Sequence, residues 1–202
     1  MKIFCIGRNY VDHAKELNNK VPKKPLVFMK PPTALSHDKS VHYPSFTKNL
    51  HHEIELVLLI SKKGKNIARA KALSHIGAYA LGIDYTARDV QATLKAKGHP
   101  WEIAKGFDGA ATLSAFYHKG DFDLKKGIPF SLLKNGQLAQ TGNTRDLLFP
   151  CDQLISYISG YFTLEVGDLI YTGTPAGVGP VQKGDVLEAY LGERPVLENV
   201  IR

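Results

Sequence analysis

Two glutamates set two residues apart, Glu53 and Glu55 in the stretch HHEIELVLLI, raise the first chemical question. The apolar run after them reads as a buried strand. An unpaired carboxylate taken out of water costs several kcal/mol or gives up its charge. Side chains at i and i+2 of a strand share a face. Glu53 and Glu55 are therefore expected to point the same way, with His51 beside them and Ile54 and Leu56 opposite. Carboxylates so placed repel, and one must hold a proton unless a cation sits between them. An all-oxygen donor set favours Mg²⁺, Mn²⁺ or Ca²⁺ over zinc. Taken alone, the pair also reads as the solvated end of an edge strand.

Asp84 is a third acid in the right kind of place. It ends the run AYALGI, just before a helix for which Thr86 is the expected N-cap, so capping does not claim it. An octahedral cation with open water positions needs such a third ligand. Behind it, Arg88 and Gln91 lie on one helix face. His13 and Glu16, spaced i, i+3 on another predicted helix, can hydrogen-bond across a turn. A carboxylate orienting an imidazole makes a general base, although the same spacing is common among surface pairs. The loop TGTPAGVGP offers hydroxyls and free N–H groups to a carboxylate, and it is not a P-loop because no Gly-Lys-Ser/Thr follows.

The elements that must carry these residues follow from periodicity and punctuation. Strands are expected at KIFCIG, PLVFMKPPTAL (ending at a proline turn), EIELVLLIS and AYALGID, and strand-turn units at GDLIYTGTPAGVGPV and GDVLEAYLG. FSLLKNGQLAQTGN carries the Asn-Gly of a type I′ hairpin. Helices are expected at NYVDHAKELNN, ARAKALSHIG, YTARDVQATLKAKG and CDQLISYISGYF, with a Pro/Lys linker at KVPKKP. The pattern is a β-rich α+β domain, not a regular βαβ array.

The chain has 202 residues, enough for one domain with a real core, and a net charge of +7. The charge suits a small anionic substrate or simple solubility. Nucleic acid is disfavoured, because the lysines are scattered and no aromatic-studded basic stripe joins them. Cys5 and Cys151 stand in no paired spacing, which suggests reduced thiols in a cytoplasmic protein. MKIFCIG is too short an apolar run for a signal peptide, and no stretch is long enough to cross a bilayer.

Six stretches, GRNYVDHAKE, FMKPPTAL, NLHHEIELVLLI, GIDYTARDVQ, GHPWEIAKGFD and IYTGTPAGVGPV, occur in this order over most of the chain. Together they resemble the fumarylacetoacetate hydrolase family, and most closely its short, single-domain acylpyruvase and oxaloacetate decarboxylase members. The resemblance implies one catalytic domain over residues 1–202 with a mixed β-roll fold, usually a homodimer, and a divalent cation, commonly Mg²⁺. It implies Glu53, Glu55 and Asp84 as metal ligands, Lys105 as the active-site lysine, and His13 with Glu16 as the acid–base pair on an N-terminal lid. It further implies substrate contacts at Gln91 and Thr174, with Arg8 and Lys30 as looser candidates. Longer members carry a fourth acidic ligand ahead of the lid histidine; CIGRNY has no acid there, which favours a three-carboxylate site.

A 2-oxo acid chelating such a cation would break its adjacent C–C bond through an enolate. The expected reaction is hydrolysis of an acylpyruvate or fumarylpyruvate. Oxaloacetate decarboxylation or keto–enol isomerisation at the same site is the alternative. A short helix with little apolar surface around residues 8–25 is expected to be a mobile lid. Neither a membrane nor a nucleic-acid partner is expected.

Overall fold

The computed structural model describes residues 1–16 and 20–202. The described residues form three sheets and a few short helices, the β-rich α+β arrangement expected. The largest sheet runs in the order Leu26–Lys30, Ile3–Gly7, Leu169–Tyr171, Ile54–Ile60, Ile76–Asp84, Ala111–Leu113 and Leu35–Ser36, with Tyr117–His118 also pairing to Ile76–Asp84. A second sheet orders Gln137–Asn143, Pro129–Lys134, Val186–Leu191, Arg194–Ile201 and Ser40–Val41. A small third sheet joins Gly179–Pro180, Leu50–His52 and Thr86–Ala87.

Alternation along Ile54–Ile60 divides the interior. Ile54, Leu56, Leu58 and Ile60 enter the main core with Leu132, Leu187, Ala189 and the inner face of the helix Cys151–Tyr161. Val57 faces a smaller cluster with Ile3, Cys5, Ala80 and Tyr171. The acids Glu55 and Asp84 belong to this second face.

Three local expectations need correction. The predicted strand EIELVLLIS is interrupted at Glu53, where the chain passes from Leu50–His52 in the small sheet to Ile54–Ile60 in the large one. Thr86 is not an N-cap: Thr86–Ala87 pairs with Leu50–His51, and the helix begins at Arg88 with no side-chain cap. Pairing to a strand wins because it satisfies backbone groups in a buried position that a hydroxyl cap would leave open. The conclusion that capping does not occupy Asp84 survives, since the helix starts beyond its reach. ARAKALSHIG is also less helical than expected, splitting into a short helix Arg69–Ala72 and a 3-10 turn Leu73–His75. The Asn-Gly hairpin is as expected, with positive φ at Asn135 (53°) and Gly136 (76°). The helix around His13 spans Val11–Glu16. Residues 17–19 of the expected lid lie outside the described residues.

Candidate active site

Strand register brings the acids together. Ile54 pairs with Ile83 and Glu55 with Gly82, so Asp84 is the diagonal neighbour of Glu55 on the same face. Asp84 N donates to Glu53 O at 2.8 Å, which holds the third acid beside the other two despite the break in the strand. Glu53, Glu55 and Asp84 are 5%, 2% and 1% exposed. Each offers an oxygen within 4.8 Å of the others, about twice a metal–oxygen bond of roughly 2.1–2.4 Å to a hard cation.

Their partners differ. Lys105 Nζ donates to Glu53 Oε2 and to Asp84 Oδ2, each at 2.8 Å. Arg88 Nη2 donates to Glu53 Oε1, and Lys30 Nζ lies 2.8 Å from Asp84 Oδ1. Although burial works against its charge, Lys105 and Arg88 hold the Glu53 carboxyl well below the usual carboxylate range. Glu55 has no cationic partner among the described residues; it accepts only from Gly173 N, at 2.7 Å. Burial, then repulsion by Asp84 and Glu53, push its carboxyl well up. A divalent cation fits this donor set. It is all oxygen, buried and convergent, and a dication would supply the charge that Glu55 lacks.

The three acids line one open cleft. Arg8, His13, Gln91, Lys105 and Thr174, all expected from the sequence, line it too. Glu16 sits behind His13: its Oε2 is 3.4 Å from His13 Nδ1, and both of its oxygens accept from Gly177 N at 3.0 and 3.2 Å. Gly177 has φ +95°, and a Cβ there would strike Ala139 O, so only glycine presents that N–H. Burial pulls the His13 imidazole below its ordinary value, partly offset by Glu53 and Glu16. Thr174 Oγ1 accepts from Gln140 Nε2 at 2.8 Å, which leaves its own hydrogen to donate into the cleft.

Two expectations are placed differently. Lys30 is fully buried behind Asp84, donates to Lys105 O and to Ala110 O (3.1 Å), and does not line the cleft. Its ammonium supports Asp84 and the backbone of Lys105 from behind. His51 turns to Asn49 Oδ1 at 2.9 Å and is also outside the lining. Several contributors had no role in the sequence reading: Lys95, Trp101, Gln140 and Asn9; Arg88 was noted there only for sharing a helix face with Gln91. Arg88, Gln91 and Lys95 form an i, i+3, i+7 stripe, a spacing visible in the sequence. Asn9 gives no such signal. It ties distant segments together, donating to Phe149 O and Thr172 O and accepting from Phe149 N.

Comparison with known proteins places the chain in a family. The family model described as fumarylacetoacetate (FAA) hydrolase C-terminal matches residues 2–202. The chain belongs to the fumarylacetoacetate hydrolase family. It is 45% identical over 188 residues, 93% of this chain and 85% of the relative, to a Mus musculus protein named oxaloacetate tautomerase FAHD1, mitochondrial. It is 41% identical over 189 residues, 93% and 87% of the two chains, to a Dictyostelium discoideum protein named oxaloacetate decarboxylase, mitochondrial. Among solved structures, fumarylpyruvate hydrolase from Pseudomonas aeruginosa in complex with Mn²⁺ and pyruvate matches with a TM-score of 0.93 and 34% identity, over 100% of this chain and 89% of that one. Like these fumarylacetoacetate hydrolase family members, the chain is a mixed β structure with few short helices. Among the described residues no helix is long and apolar enough to cross a membrane.

Proposed function

We propose that the protein is a divalent-cation-dependent enzyme that forms an enolate from a small anionic 2-oxo acid, with keto–enol interconversion of oxaloacetate as its principal reaction. The observation that carries this reading is the convergence of Glu53, Glu55 and Asp84 in a cleft that also holds His13. Oxaloacetate is favoured by the names of relatives 41–45% identical to this chain. Hydrolysis of acylpyruvates, ranked first from the sequence, is the second reading. It is favoured by the His13–Glu16 pair, a base suited to activating water, and by the likeness to the fumarylpyruvate hydrolase.

Glu53, Glu55 and Asp84 would hold Mg²⁺ or Mn²⁺. When bound, the cation supplies Lewis-acid stabilisation of charge on the 2-oxo acid. The chain's own residues do the rest. Thr174 Oγ1 donates to the substrate carboxylate, and Gln91 lies on the adjoining wall. Lys105, fixed between Glu53 and Asp84, places positive charge where the enolate oxygen develops. With Nδ1 held by Glu16, His13 has Nε2 available. Nε2 takes the proton from C3 of the keto form, leaving the enolate and an imidazolium, and the imidazolium returns a proton to the 2-oxygen, directly or through water, giving the enol with no net change in atoms. In the hydrolytic reading the same nitrogen takes a proton from water. Burial keeps the ring neutral, the form that can accept it.

The test is a panel of oxaloacetate, acetylpyruvate and fumarylpyruvate followed by ultraviolet absorbance with and without Mg²⁺. Fast enol–keto conversion with slow hydrolysis supports the first reading, and the reverse ranking supports the second. A homodimer and an N-terminal lid remain part of the proposal, to be tested by light scattering and by limited proteolysis. Two buried, unpaired cysteines support a reducing compartment such as the cytoplasm.

A further inference from the structure

The outer wall of the cleft carries positive charge that the chemistry above leaves unused. Lys95 lies two turns along the helix from Arg88 and shares its face through Gln91. Arg88 is committed to Glu53 and Gln91. Lys95 and Arg8 both line the cleft, and neither has a carboxylate partner among the described residues.

Lys95 is held in place, and Arg8 stands at an unusual backbone position. Lys95 Nζ lies 5.0 Å from the centre of the Trp101 ring, whose negative face fixes an ammonium. Trp101 in turn packs edge-on against Phe28 at 5.8 Å, and both rings line the cleft. Arg8 sits at φ 59°, a left-handed conformation that a non-glycine residue adopts at a cost and that is commonest at functional positions. Burial, then repulsion by Arg8 and Arg88, draw the Lys95 ammonium down to about 8. A half-buried cation with cationic neighbours and no counterion is incomplete without an anion.

We infer that Lys95, with Arg8, forms a second anion subsite that holds the far carboxylate of a 2-oxo dicarboxylate, and that Lys95 sets the preference for dianionic over monoanionic substrates. The inference rests on the proposed enolate chemistry for the near end of the substrate: Lys105, Thr174 and a cation carried by the three acids would hold the 2-oxo acid head. On this reading Phe28 and Trp101, which line the cleft, would flank the middle, and the ammonium and guanidinium would meet the tail. A neutral tail, such as the methyl of acetylpyruvate, gains nothing from that pair.

The experiment compares the Mg²⁺-loaded wild type, Lys95→Met and Lys95→Arg on oxaloacetate and its 4-methyl ester, substrates of one enol–keto conversion that differ in the far charge. The ratio of kcat/KM, dianion over ester, is expected to fall by about tenfold or more in Lys95→Met and to recover substantially in Lys95→Arg. A ratio that does not move in Lys95→Met overturns the inference. Should the wild type convert neither compound, the proposed function fails, and the subsite is read by calorimetry with 2-oxoglutarate and 2-oxopentanoate, which match in length. Tighter binding of the dicarboxylate, lost in Lys95→Met, upholds the subsite, and equal affinities or an unmoved ratio overturn it.

Discussion

Replacing Glu16 by glutamine separates orientation from charge. The carboxylate touches His13 Nδ1 at 3.4 Å and receives Gly177 N on both oxygens. Glutamine keeps the shape and one carbonyl acceptor but removes the charge. A hydrogen bond to a charged group contributes about 1 kcal/mol more than its neutral counterpart, and 1.36 kcal/mol is tenfold in rate, so turnover near neutral pH should fall by roughly five- to tenfold. The pH profile carries the sharper sign. Burial lowers the His13 imidazole, while Glu53 and Glu16 raise it. The reacting form is the neutral ring, so activity is present above its titration and lost as pH falls through it. Without the Glu16 charge the ring titrates lower still, and the acid limb of kcat/KM should move to lower pH. The assay is a pH–rate profile of both enzymes at saturating Mg²⁺. A limb that stays in place or moves up while turnover falls would show that Glu16 acts only by anchoring the Val11–Glu16 helix to Gly177.

Glu55→Gln should abolish tight Mg²⁺ binding by calorimetry yet raise the melting temperature of the metal-free protein, by roughly 2–4 °C for about 1 kcal/mol of relieved repulsion; a lower melting temperature would contradict the unpaired state of Glu55. Lys105→Met should depress kcat more than it changes KM, because the ammonium serves developing charge; a rise in KM alone would make it a binding group. Asn9→Leu leaves Phe149 and Thr172 backbone groups unpaired, at about 1 kcal/mol or more each, and should lower the melting temperature by several degrees; an unchanged melt would show that Asn9 does not hold these segments.

Much of the site was legible because strand geometry is periodic. The spacing of Glu53 and Glu55 placed both on one face, and the apolar run ending at Asp84 placed the third acid at a strand mouth. The outcome held even though Glu53 lies at the junction of two sheets. That junction was not legible, since it depends on which distant strands Leu50–His52 and Ile54–Ile60 meet. Thr86 shows the same limit: its local sequence suits a cap, and a long-range partner claims it. Lys30 and Lys105 carry the same charge and both sit near Asp84. Only packing shows that one faces the cleft and the other lies behind the acid. Lys95 and Trp101 were readable as types, but their meeting across the turn between two helices was not.

The most direct measurement is enol-to-keto conversion of oxaloacetate by protein stripped of metal with a chelator, then titrated with Mg²⁺ or Mn²⁺ against an enzyme-free control at each concentration. Conversion should vanish on stripping, return with either cation, and fail to return in a Glu53→Gln, Asp84→Asn variant. Full activity in the stripped protein would contradict the assignment of the three carboxylates.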